Sequence, residues 1–184
     1  MCGVWHTVPI TVRGRCPKVT PRWLQDLSGI EPSEIEPGTR LYPCSACLND
    51  GSRVERVYFI TRETSKRLFG QERPEQISGR WVDPGIVASV VECPTRLPPQ
   101  FANQIYGAGE SRMGCYLFTL VFSRWYRRKY LVGGFIDFLT FPRAHGPSEI
   151  KEVILHVGAS QPSPMPEYAW CVYPSYRAIV EDGH

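Results

Sequence analysis

Sixteen glycines and seventeen prolines punctuate this chain of 184 residues, more than one position in six. In a helix interior a glycine costs about 1 kcal/mol relative to alanine and a proline about 3, because proline lacks a backbone donor and clashes with the preceding turn. Long uninterrupted helices are hard to write in such a text. A helical bundle, a coiled coil and a solenoid are therefore disfavoured. Five Trp, nine Tyr and eight Phe within a 42% apolar composition equally disfavour a disordered chain. The length suits one sizeable core, so a single globular domain over 1–184 is expected. A polar loop is expected near 71–80, where Ile77 is the one aliphatic side chain, and a frayed tail over 177–184.

The punctuation separates short elements. Val4 to Val12 is rich in Val, Ile and Thr and reads as a first strand broken at Pro9. Thr20 to Gly29 reads as a short helix with Thr20 as its cap, Pro21 at the first helical position and Gly29 as its stop. Glu31 to Gly38 reads as an acidic, proline-bounded turn. Arg40–Leu48 and Ser52–Thr61 flank Asn49-Asp50-Gly51, a strong hairpin signal. A short helix or turn follows from Arg62 to Gly70, and a strand is expected over Ile86–Val91. Gln100–Tyr106 reads as a two-turn helix ended by Gly107 and Gly109, with Phe101 and Ile105 stacked on one face. In Cys115–Phe122, both alternate faces are apolar, the signature of a strand covered on both sides. Tyr126–Val132 is its return arm. Phe135–Leu139 is a short apolar element of open type, Pro147–His156 serves as helix or strand, and Tyr168–Tyr173 reads as a last strand. Strands outnumber helices. The expected fold is α+β, a mainly antiparallel sheet built from hairpins with two to four short helices packed on it.

Seven cysteines without a framework, and no basic segment ahead of an apolar one near Met1, point to reduced thiols in a cytoplasmic protein. No run of 18 apolar residues exists, so no membrane helix and no membrane partner are expected.

Three constellations bear on chemistry. Cys44-Ser45-Ala46-Cys47 has the spacing of a zinc knuckle or a redox pair. A second pair is missing, and on a regular strand Cys44 and Cys47 point to opposite faces. Structural thiols are the expectation, with zinc held by distant ligands left open. Gly107–Gly114 is glycine-rich, but it follows a helix and precedes a strand, the reverse of a phosphate-binding loop. It reads as a helix cap and connector. For nucleophilic catalysis no Gly-x-Ser-x-Gly or His-Glu-x-x-His motif occurs. A pair of Cys115 or Cys171 with His145 stays open, since such partners meet in space. No catalytic residue, metal ligand or cofactor is assigned.

The sharpest feature is basic and aromatic. From Ser111 to Ile136 there are five cations, Arg112, Arg124, Arg127, Arg128 and Lys129, and no acidic residue. That stretch exceeds the net charge of the whole chain, which is +3, so the remainder is net acidic. Trp125, Tyr126 and Tyr130 interleave with the cations. Trp, Tyr and Arg are the common anchors of protein interfaces, and the same set can meet phosphates while stacking on unpaired bases. A plain solvated edge, blunted by its charges, is the competing reading. The favoured expectation is a small non-enzymatic binding or regulatory protein acting on another protein. Its contact surface is Arg124, Trp125, Tyr126, Arg127, Arg128, Lys129 and Tyr130. Single-stranded nucleic acid on the same hairpin is the alternative, and a metal-containing or Cys-dependent enzyme a third.

Overall fold

The computed structural model describes residues 21–71 and 80–175. The expected first strand at Val4–Val12, the Thr20 cap, most of the 71–80 loop and the 177–184 tail lie outside the described residues.

Among the described residues, three α-helices accompany nine strands that form two sheets. Helix α1 spans Arg22–Ser28, preceded by Pro21, whose carbonyl accepts from Leu24 N at 3.0 Å. Pro21 thus stands one position earlier than expected, as the residue before the first helical one. Trp23 and Leu27, four apart, form the buried face. Strands β1 (Ser33–Glu36), β2 (Thr39–Leu48) and β3 (Arg53–Thr61) follow. The 31–38 segment expected to be a turn is therefore partly a strand. Pairing with β2 (Ser33↔Leu41, Glu34↔Arg40) supplies the ladder that its own composition does not favour. The β2–β3 hairpin turns at Asn49-Asp50-Gly51 as read, with Gly51 in the left-handed region at φ 84°. Pro43 marks where one edge of β2 changes partner, from β1 to β5, a place where a missing N–H is tolerated.

Helix α2 (Arg62–Phe69) is capped by Thr61, whose hydroxyl accepts from Thr64 N, and closed by Gly70 at φ 70°. After β4 (Arg80–Trp81) and β5 (Val87–Glu92), the chain leaves this sheet. It forms α3 (Pro99–Gly107) and a three-stranded antiparallel sheet from β6 (Cys115–Phe122), β7 (Arg127–Gly133) and β8 (Ile150–Leu155). The 147–156 stretch thus resolves as a strand after one short turn, because Val153 and Ile150 complete the core under β6. The last strand, β9 (Ala169–Tyr173), returns to the larger sheet and runs parallel between β3 and β4. The α+β architecture, mainly antiparallel, is as expected. The two parallel pairings arise because β9 re-enters after the whole smaller sheet has been built.

One side of the larger sheet packs on α1, with Trp23 against Phe59 and Tyr173 at ring separations of 5.6 and 5.4 Å. The smaller sheet packs on α3 through Tyr116, Phe118, Leu120 and Phe122 against Ile105 and Tyr106. Residues 135–139 cross between the two sheets. Phe135 and Phe138 meet Tyr58 and Trp170 of the larger sheet, whereas Ile136 and Leu139 join the smaller sheet's core. Asp137, fully buried between them, accepts from Ser33 Oγ of β1 and from the Tyr106 hydroxyl of α3 (2.8 Å). Arg96, itself buried, donates through Nη2 to Ser33 Oγ at 3.2 Å. Ile136 N donates to the Tyr106 oxygen at 3.0 Å, so that hydroxyl's proton is free to point at Asp137.

Removing this acceptor strands several buried donors at once. Asp137→Ala is expected to cost about 3 kcal/mol or more in chemical denaturation; a loss below about 1 kcal/mol would contradict the network. Burial raises the Asp137 carboxyl above its ordinary value, opposed by Ser33, Arg96, Tyr106 and Tyr58. The folded state therefore holds this proton more tightly than the unfolded chain. Its contribution is full below the ordinary carboxylate range and declines as pH rises through the folded value. The stability difference between wild type and Asp137→Asn should accordingly fall with rising pH in that window, and a difference that rises would refute the assignment.

Candidate protein-binding hairpin

Strand β6 is the middle strand of the smaller sheet and is buried from Tyr116 to Phe122, on both faces, as its pattern implied. That gives the β6–β7 hairpin a rigid base. At its end, Phe122 N donates to Tyr126 O (2.8 Å), closing a turn over Ser123, Arg124 and Trp125. Arg124 (φ 61°, ψ 24°) and Trp125 (φ 62°) both lie in the left-handed region. That conformation suits Asn-Gly pairs in hairpins and costs other residues about 1–2 kcal/mol each. Trp125 is held out into solvent, 79% exposed.

The structure divides the seven candidate residues. Arg124, Trp125, Tyr126, Arg127 and Lys129 are exposed, and Arg128 is half-buried with its guanidinium carbon 5.8 Å from the Tyr130 ring centre. Tyr130 is 1% exposed, and here the expected contact surface needs correction. On β7 it faces the core, where its ring stacks on Phe118 (5.6 Å, 18°) and its hydroxyl donates to Thr140 O (3.3 Å). Burial pushes its phenol up to about 12. Two-residue alternation carries the strand from exposed Lys129 into the core at Tyr130, while Leu131 and Val132 are buried behind it.

A second segment supports the tip. The Tyr126 ring stacks on His145 (4.6 Å, 17°), and His145 lies on Phe122 at 5.2 Å. His145 Nδ1 is 3.3 Å from Glu149 Oε2, an ion-pair distance without hydrogen-bond geometry. Glu149 Oε2 also accepts from Gly146 N (3.1 Å), and Ser123 Oγ donates to the Glu149 carbonyl (3.3 Å). The turn is thus braced by residues 145–149, twenty positions downstream. The sequence offered no signal for this beyond an isolated histidine.

The other constellations are kept apart. Cys44 is fully buried in the larger sheet's core, where burial pushes its thiol well up, while Cys47 is half-buried. Among the described residues no three His, Cys, Asp or Glu side chains group to hold a metal ion. The Cys–His pair does not form. Cys171 belongs to the larger sheet and Cys115 begins β6, whereas His145 stacks at the far end of that strand, about 23 Å along it at 3.3 Å per residue. In the glycine-rich loop, the Glu110 carboxylate takes the Gly114 N–H (2.7 Å) that a phosphate would need.

Compared with protein-family models, curated proteins and solved structures, the chain matches none.

Replacing the strained pair by the residues its geometry suits, Arg124→Asn with Trp125→Gly, is expected to raise stability by about 1 kcal/mol in denaturant melts. A destabilised variant would show that the turn stores no strain.

Proposed function

We propose that this is a small cytosolic, non-enzymatic binding and regulatory protein that engages another protein through the β6–β7 tip. The observation that carries the reading is Trp125: a large apolar ring, exposed at the apex of a turn whose backbone pays for its position. Strain of this kind persists where surrounding structure enforces it, and it clusters at binding sites. On the same hairpin Arg124, Arg127 and Lys129 are exposed cations, with no carboxylate on the hairpin itself. An aromatic plug on a cationic hairpin suits a partner that offers an apolar pocket bordered by Asp or Glu.

Single-stranded nucleic acid is supported less well. Such binders stack successive bases on several free ring faces. Here Tyr130 lies in the core and Tyr126 has one face on His145, leaving Trp125 as the single fully projecting ring of the hairpin.

Affinity capture with wild-type protein and with Trp125→Ala plus Arg127→Ala, each checked for an unchanged circular dichroism spectrum, tests this. Each hot-spot truncation of about 2 kcal/mol weakens binding roughly thirtyfold, so the specific partner should be lost from the variant. An identical partner set from both proteins would remove the tip from consideration. Salt-sensitive retention of oligothymidylate, lost on Arg124→Ala with Arg127→Ala, would favour nucleic acid instead.

A further inference from the structure

The two outer strands of the smaller sheet end differently. Along β7 the outward backbone groups are taken: Ser163 N donates to Leu131 O (2.8 Å), and Leu131 N donates to Ser163 Oγ (3.1 Å). Along β8 they are not. His156 N donates to Leu117 O, and the register Thr119↔Ile154 and Val121↔Glu152 continues that alternation. Glu152, Ile154 and His156 therefore turn their backbone groups towards β6, and Val153 and Leu155 turn theirs outward. No described residue bonds to that outward row. Beside it Leu155 is 41% exposed and Val157 89%. An unpaired edge with apolar side chains is a template for another strand.

We infer that this edge pairs with β8 of a second copy of the chain, antiparallel about a two-fold axis, and joins two three-stranded sheets into one. A two-fold axis perpendicular to the sheet sets outward residues against outward residues and keeps each side-chain face on its own side. The possible registers differ in what they oppose. Centring the axis on Lys151 or Glu152 sets like charges face to face, which is unfavourable. Centring it on Val153 or Leu155 leaves the Glu152 carboxylate opposite Ile154 or Gly158. Centring it on Ile154 opposes Ile154 to its own copy, Val153 to Leu155 with both outward backbone groups exchanged, and Glu152 to His156. That last pairing is complementary. His156 Nε2 lies 2.9 Å from Thr119 Oγ1, and with that hydroxyl donating, the ring proton sits on Nδ1, a donor for a carboxylate. Glu152 is exposed and engages no described residue of its own chain through its side chain. The self-matching of charge and of apolar residues about Ile154 selects a second copy over an unrelated strand. Because β8 starts beside Phe122, antiparallel joining carries the two Trp125 turns to opposite ends of the joined sheet, so the dimer leaves both uncovered.

Sedimentation equilibrium of the whole chain under reducing conditions, from micromolar to near-millimolar concentration, tests the association. Wild type should dimerise. Leu155→Pro removes an outward N–H while leaving the β6 ladder intact, since proline is tolerated at an edge. It should weaken the dimer at least about tenfold, and so should Glu152→Lys, an exposed change that spares the core. A wild type that stays monomeric throughout, or a dimer unmoved by Glu152→Lys, overturns the inference. The register has its own readout. Opposed residues of a non-hydrogen-bonded pair bring their Cα atoms to about 4.5 Å, within reach of a disulfide. Under mild oxidation Ile154→Cys should give a cross-linked dimer in excess of wild type with its native cysteines, and Glu152→Cys should not. Cross-linking through position 152 in place of 154 would contradict the pairing.

Discussion

A carboxylate buried between two sheets sets the terms for this fold. Asp137 sits in a short crossing whose aromatic residues belong to one core and whose aliphatic residues belong to the other. A lone buried carboxylate costs several kcal/mol, so it persists only where donors are brought to it. Those donors come from β1, α3 and, through Ser33, from Arg96. Each lies far from Asp137 in sequence, so the site exists only when both sheets are assembled. Apolar packing would let the sheets slide; the directional bonds to Asp137 fix their register.

The hairpin inherits its rigidity from that assembly. Its first strand is the middle strand of the smaller sheet, and its turn is braced by the Tyr126–His145–Phe122 stack. A strained turn at the end of a loose arm would relax. At the end of a strand buried on both faces it is held, and Trp125 stays outside. Stability spent at the turn is offset by the core beneath it.

Much of this was legible from residues alone. Asn49-Asp50-Gly51, the two-faced apolar run at 115–122 and the basic tip each carry a local signal that the structure keeps. What was missed depends on distance in sequence. Strand β1 needs β2 beside it, the parallel pairing of the expected last strand, β9, needs a slot between β3 and β4, and His145 needs Tyr126 to stack on. Tyr130 looked like its aromatic neighbours because composition does not say which side of a strand a ring takes. Asp137 left a faint trace, a single acid within Phe135-Ile136-Asp137-Phe138-Leu139, yet nothing local names Ser33, Tyr106 or Arg96 as its partners.

The central claim is that Trp125 meets a protein. A photo-crosslinking phenylalanine analogue placed at position 125 and irradiated in living cells tests it most directly, with position 113 as control, since Met113 is 96% exposed away from the tip. The account predicts one dominant protein adduct from position 125 that is absent from position 113. The same adducts from both positions, or adducts to nucleic acid alone, would contradict it.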